Sequence, residues 1–178
     1  MPVLKHHLSL LPTKRVRIIL AASCAATCAL PLLAPAPAAA VSVSRIERNQ
    51  VATINKYRAQ HGLRRLVIDV KLTRTAEWMG RDMPRYNYFS HTDHTGRDPF
   101  VRLSHFGYPS NSWRGENLAA GNPGVSGTFV QWRNSPGHNA NLLNGNYRAI
   151  GIARVVAPGS AYGYYWATEF GSRVTRRL

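Results

Sequence analysis

From residue 44 onward the apolar residues recur first at helical and then at strand spacing. Ser44-Arg45-Ile46-Glu47 is a capping box, and Ile46, Val51, Ile54 and Tyr57 behind it form one apolar side, with Gly62 after His61 as the stop. A second helix is predicted from about Val70 to Arg85, because Leu72, Ala76, Met79 and Met83 repeat at +4, +3, +4. Asp98-Pro99 reads as an N-cap followed by a first-turn proline, opening a short helix from Phe100 to Phe106 that ends at Gly107. Thr128 to Asn134 is predicted helical with Trp132 facing inward, and Ser135-Pro136 opens another short helix that carries His138 on its first turn. Residues 107–115 and 121–127 are rich in Gly, Ser, Pro and Asn and read as loops. Arg148 to Val156 and Tyr162 to Phe170 read as strands joined by Ala157-Pro158-Gly159-Ser160, with Tyr164, Trp166 and Phe170 on one face. A third strand is expected around Asn117.

Helices come first and a hairpin follows, so the helices are the only cover available for the sheet. The expected class is α+β, with helices on both faces of an antiparallel sheet.

The first forty residues carry a different pattern. Lys5, Lys14, Arg15 and Arg17 precede a small apolar run from Ile18 to Leu33, and Ala38-Ala39-Ala40 is an A-x-A cleavage pattern. This reads as a secretory signal peptide cleaved after Ala40, leaving a domain over 41–178 and a secreted, extracellular protein. Cys24 and Cys28 both fall in the removed segment, so the exported chain is expected to hold no disulfide.

Residues 41–178 carry 19 Lys and Arg against 8 Asp and Glu, a net of +11. Such charge favours anionic surfaces, among them an acidic cell-envelope polymer. The cations are scattered with no dense block, which reads as a solvated basic surface and not as a specific nucleic-acid site.

Three short words carry the candidate chemistry: Phe89-Ser90-His91, Gly115-Glu116-Asn117 and Ser135-Pro136-Gly137-His138. Two neutral imidazoles, His91 and His138, can ligate a divalent ion such as zinc, leaving positions open for water. Glu116 can ligate as well, or take a proton from that water as a base. Against these stand plainer roles: two histidines that order a cleft, and a carboxylate that accepts backbone N–H bonds. His94 lies three residues after His91, in a stretch that reads as loop. Ser135 is read as a cap, Asn117 as a loop-fixing amide, and Trp113 as an exposed aromatic contact.

The words appear in an order that resembles the CAP superfamily of cysteine-rich secretory, antigen 5 and pathogenesis-related proteins, in its small bacterial branch. Besides the three above, Gly96-Arg97-Asp98-Pro99, Trp132 before Ser135, Ile150-Gly151-Ile152 and Tyr165-Trp166 through Phe170-Gly171 carry it. The resemblance implies a three-layer α-β-α sandwich with a central antiparallel sheet and a cleft. In many members that cleft holds two His and two Glu and binds zinc or another divalent ion. His91, Glu116 and His138 match three of the four, and Ser135 stands where the second Glu would be.

The resemblance implies a cleft that binds a lipid, a sterol or a protein partner, and Asn117, Ser135, His94 and Trp113 are the candidate cleft residues beside His91, Glu116 and His138. Two other functions are carried beside it: a metal-dependent hydrolase with Glu116 as base, and a basic adhesin for an anionic envelope polymer. No H-E-x-x-H or G-x-S-x-G motif and no cysteine in 41–178 supports catalysis, which favours binding.

Overall fold

A computed structural model describes residues 40–178; the expected signal peptide, its cleavage point and both cysteines concern residues outside that described stretch or at its edge. The element order is α1 (Arg45–Gln60), β1 (Val67–Ile68), α2 (Val70–Arg85), α3 (Pro99–His105), β2 (Arg114–Ala120), α4 (Val125–Asn134), α5 (Pro136–Leu142), β3 (Ala149–Val156) and β4 (Tyr164–Gly171). The strands lie in the order β1-β3-β4-β2. The three long strands pair antiparallel, as expected, and the two-residue β1 adds a parallel edge beside β3. No helix among the described residues is long and apolar enough to cross a membrane.

Alternation along the strands divides the core in two. Ile150, Ile152, Trp166 and Phe170 face one way and pack with Val51, Ile54, Trp132 and Leu142 of α1, α4 and α5. Ala153, Ala167, Tyr165 and Leu118 face the other way, under Ala76, Met79 and Met83 of α2. Leu72 and Leu103 extend this second layer to α3. The result is a three-layer α-β-α sandwich.

Polar side chains tie the layers together. Glu47 completes the capping box of α1, and its Oε1 also accepts the Arg154 N–H at 2.7 Å, joining α1 to β3. Asp69 caps α2 and accepts the Thr175 and Arg176 N–H groups at 2.6 and 2.9 Å, which pins the C-terminal segment. Arg58 is fully buried and donates to the Leu142 and Asn144 carbonyls at 2.7 and 3.1 Å, where α5 ends. Arg58 and Arg102 are thus interior, in contrast to the solvated surface that the scattered cations suggested.

β2 lies at the edge of the sheet, and its outward carbonyls are capped by side chains. Tyr147 O–H donates to Arg114 O at 3.1 Å, Asn141 Nδ2 to Glu116 O at 3.1 Å, and Trp132 Nε1 to Leu118 O at 2.9 Å. An open edge is a template for strand addition, and here α4, α5 and Tyr147 close it. Gly115 is required by this arrangement, because a Cβ there would collide with the Tyr147 hydroxyl and the Asn141 amide.

Candidate functional site

The site straddles β2. His91 comes from the loop between α2 and α3, Glu116 from β2, and His138 from the first turn of α5. Pro136 stands at the first helical position of α5, with Ser135 as N-cap. The Ser135 hydroxyl makes no capping bond, so the cap rests on backbone geometry and the proline. Asn117 fixes α5 against the strand: its Nδ2 donates to the His138 carbonyl at 3.0 Å, and its Oδ1 accepts from Asn141 at 2.9 Å. Asn117 is fully buried and so positions His138 from beneath instead of lining an open cleft.

The two imidazoles meet. Their ring centroids are 6.4 Å apart, with the planes inclined at 51°. His91 Nδ1 lies 2.7 Å from Glu116 Oε1, and a carboxylate acceptor puts the proton on Nδ1, leaving Nε2 for other contacts. His91 is half exposed on its side chain while Glu116 is buried. His138 is half-buried and its Nδ1 has no partner among the described residues. Burial, and then the neighbouring His91, lower the His138 pKa, so this imidazole is neutral near pH 7.

The second oxygen of Glu116 is engaged by the guanidinium of Arg102, a fully buried side chain from α3. Arg102 also approaches Glu169 Oε1 at 3.8 Å and Asp93 Oδ2 at 4.0 Å, and donates to the His91 carbonyl at 3.2 Å. Burial alone would raise Asp93, but hydrogen bonds from Thr95 and Arg97 outweigh it and hold its pKa at about 2. Glu169 is the direct cross-strand neighbour of Glu116 in the β2–β4 register. Neither of its oxygens has a donor within hydrogen-bond distance when it is ionised. Burial first, and then the Glu116 charge, push its pKa well above the usual range, so it holds a proton that it can donate to Glu116.

This proton has a consequence for stability. Between the ordinary glutamate value of 4.5 and the raised one, the folded protein keeps a proton that the unfolded chain has released. Stability from this group is full below that ordinary value and falls as pH rises toward the raised one. Urea midpoints measured across the pH range should therefore decline more steeply with rising pH in the wild type than in Glu169→Gln. Parallel profiles would refute a protonated Glu169.

Glu116 therefore has both oxygens committed, one to an imidazole and one to an arginine. It orients His91, and it does so from a buried position. Among the described residues no group of three or more His, Cys, Asp or Glu is placed to hold one ion. Two imidazoles fall short of the three protein ligands of a catalytic zinc, so the residues present do not fit such a centre.

His94 and Trp113 lie elsewhere. His94 Nδ1 binds Asp82 Oδ1 at 2.5 Å, and its ring stacks on Tyr86 at 3.9 Å. Both line a separate cavity of about 410 Å³ together with Trp78, Phe106 and arginines of α2. Trp113 is exposed in a groove beside Phe100 and Arg173. Arg102 and Glu169 escaped the sequence reading. The register of Glu169 two residues before Gly171, on the strand face that alternates with Trp166 and Phe170, was the available signal: that face also lies under a helix.

Comparison with known proteins agrees with this fold. Residues 51–170 match the sequence model of the CAP family, described as the cysteine-rich secretory protein family. The uncharacterized protein YkwD of Bacillus subtilis is 36% identical over 129 residues, 72% of this chain and 48% of its own length. The chain thus spans about half of that curated relative. An extracellular protein containing a SCP domain from Bacillus anthracis is 26% identical with a TM-score of 0.60, over 75% of this chain and 45% of that one. An outer surface protein of Borrelia burgdorferi shares the fold with a TM-score of 0.63 at 24% identity, over 71% of this chain and 91% of that one.

Proposed function

The chain belongs to the CAP (cysteine-rich secretory protein) family, and from that premise we propose that it is an extracellular binding protein whose cleft engages a ligand or surface partner through His91 and His138 without a catalytic metal. The observation that carries this reading is the double commitment of Glu116, to His91 Nδ1 at 2.7 Å and to the Arg102 guanidinium. A carboxylate held on both oxygens is an orienting group. It leaves Nε2 of the half-exposed His91 as an acceptor for a polar group, beside the neutral His138.

The extracellular part draws support from the Bacillus anthracis relative, whose description is an extracellular protein with a SCP domain. The leader-like pattern of residues 1–40 points the same way. Lipids and sterols are the ligand class that the family resemblance implies, with a hydroxyl or carbonyl against the imidazoles. The hydrolase reading loses ground, because the Glu116 carboxylate is buried and already engaged by His91 and Arg102.

Zinc titration by calorimetry tests the reading. The wild type and a His91→Ala, His138→Ala double variant should give the same heat. A saturable heat present in the wild type and lost in the double variant would return the cleft to metal chemistry.

A further inference from the structure

The groove beside Trp113 is not used by the cleft. It has a volume of about 520 Å³ and is lined by Phe100, Trp113, Arg114 and Arg173 together with small polar residues flanking the indole. Trp113 is 62% exposed and Phe100 47% exposed, an uncommon display for two large aromatics so close together. The backbone beneath the indole is fixed: Trp113 N donates to Ser172 Oγ at 3.1 Å, and Ser172 N donates to Trp113 O at 3.0 Å. Arg114 stacks over the Phe100 ring at 5.2 Å and donates to Phe100 O and Ser104 Oγ, both at 2.9 Å. Arg173 reaches back to Asn111 O at 3.4 Å.

We propose that this groove is a binding site for an acidic saccharide. The lining contains two arginines and no acidic side chain, so its charge complements an anion. Three serines and an asparagine stand beside two aromatics. Ser112 Oγ is held on Pro109 O and Ser172 Oγ accepts from Trp113 N, and a purely apolar ligand would still take the other polar side chains, Ser110 and Asn111, out of water. A pyranose ring satisfies both sets. Its C–H face lies on the indole of Trp113, its hydroxyls meet Ser110, Asn111 and Ser112, and its carboxylate or phosphate meets Arg173. The backbone of Trp113 is already held by Ser172, so only its side chain has to be ordered on binding.

The site gives the protein's basic charge a place to act. It is separate from the His91 and His138 cleft, so the two readings stand or fall independently.

Fluorescence titration of the purified protein with an oligogalacturonate, a neutral oligosaccharide of equal length and hexaglutamate tests the proposal. The acidic saccharide should quench tryptophan emission saturably. Trp113→Ala should weaken it by at least about tenfold, and Trp113→Phe should recover most of the loss. Arg173→Ala should weaken the acidic saccharide but not the neutral one, with an effect that shrinks at high salt. His91→Ala, His138→Ala should bind as the wild type does. Equal binding by hexaglutamate would mean an acidic-peptide surface, and unchanged affinity in Trp113→Ala would mean a merely solvated basic face; either result overturns the proposal.

Discussion

Replacing Arg102 with methionine should cost about 3–5 kcal/mol of stability, a large share of what a domain of this size has. Arg102 is fully buried, and its guanidinium is the counter-charge of Glu116, which is buried as well. Methionine fills much of the volume but leaves the Glu116 carboxylate in the interior without a cationic partner, facing the His91 Nδ1 proton and the neutral Glu169. Glu169 offsets only part of the loss: its proton lies beside Glu116, but a neutral carboxyl group does not replace the buried guanidinium charge. Urea unfolding reads the loss as a lowered midpoint. A second substitution, Glu116→Gln, should restore at least about 1 kcal/mol to the Arg102→Met protein, because the two residues form one network. A loss below about 1 kcal/mol in the single variant would mean that water or a rearranged Arg97 already neutralises Glu116, and the account of the site's floor would fail. The same substitution should loosen His91, whose carbonyl accepts from Arg102 and whose ring is set by Glu116. Stability and cleft geometry are therefore coupled through one arginine.

How much of this was legible in the chain depends on whether a feature is local. The bounds of α2 follow from the +4, +3, +4 repeat of Leu72, Ala76, Met79 and Met83, and the structure places it at Val70–Arg85. The capping box at Ser44 and Glu47 and the Asp98 cap of α3 are likewise local, and both form. β1 is two residues long, too short for alternation to show, and exists because β3 pairs with it. The pairing of His91 with His138 joins segments 47 positions apart along the chain, a juxtaposition that motif order suggests and only the sheet produces. Arg102 and Glu169 were hidden for a different reason. A charged residue in an amphipathic pattern reads as a solvent position, and only a partner supplied by another element can make it an interior one. Arg102 comes from α3, Glu116 from β2 and Glu169 from β4, so no window of sequence contains the network. His94, which reads as a loop residue, and Trp113, which reads as an exposed aromatic contact, are candidate cleft residues that the loop after α2 and the start of β2 carry to separate surfaces.

Gly151→Ala should be the most disruptive single-methyl change in the domain, costing about 3 kcal/mol or more. The face of β3 under α2 carries Ala149, Gly151 and Ala153, a row of small residues that lets the helix approach the sheet closely. A Cβ at Gly151 would fall well inside contact distance of the Leu72 carbonyl carbon and oxygen and of Thr73 N. These are backbone atoms of the first turn of α2, so no side-chain rotation can relieve the overlap. The helix would have to lift, and Leu72, Ala76 and Met79 would lift with it from the second core. Asp69 holds that turn at its N-cap and also holds Thr175 and Arg176, so the C-terminal segment would be strained too. Gly137→Ala provides the contrast. Gly137 lies in α5, a Cβ there meets nothing within 4 Å, and the change should stabilise by about 0.4–1 kcal/mol by restricting the unfolded chain. Thermal unfolding of the two variants side by side should thus move in opposite directions. If Gly151→Ala unfolds at the same temperature as the wild type, α2 does not pack on the sheet as closely as described.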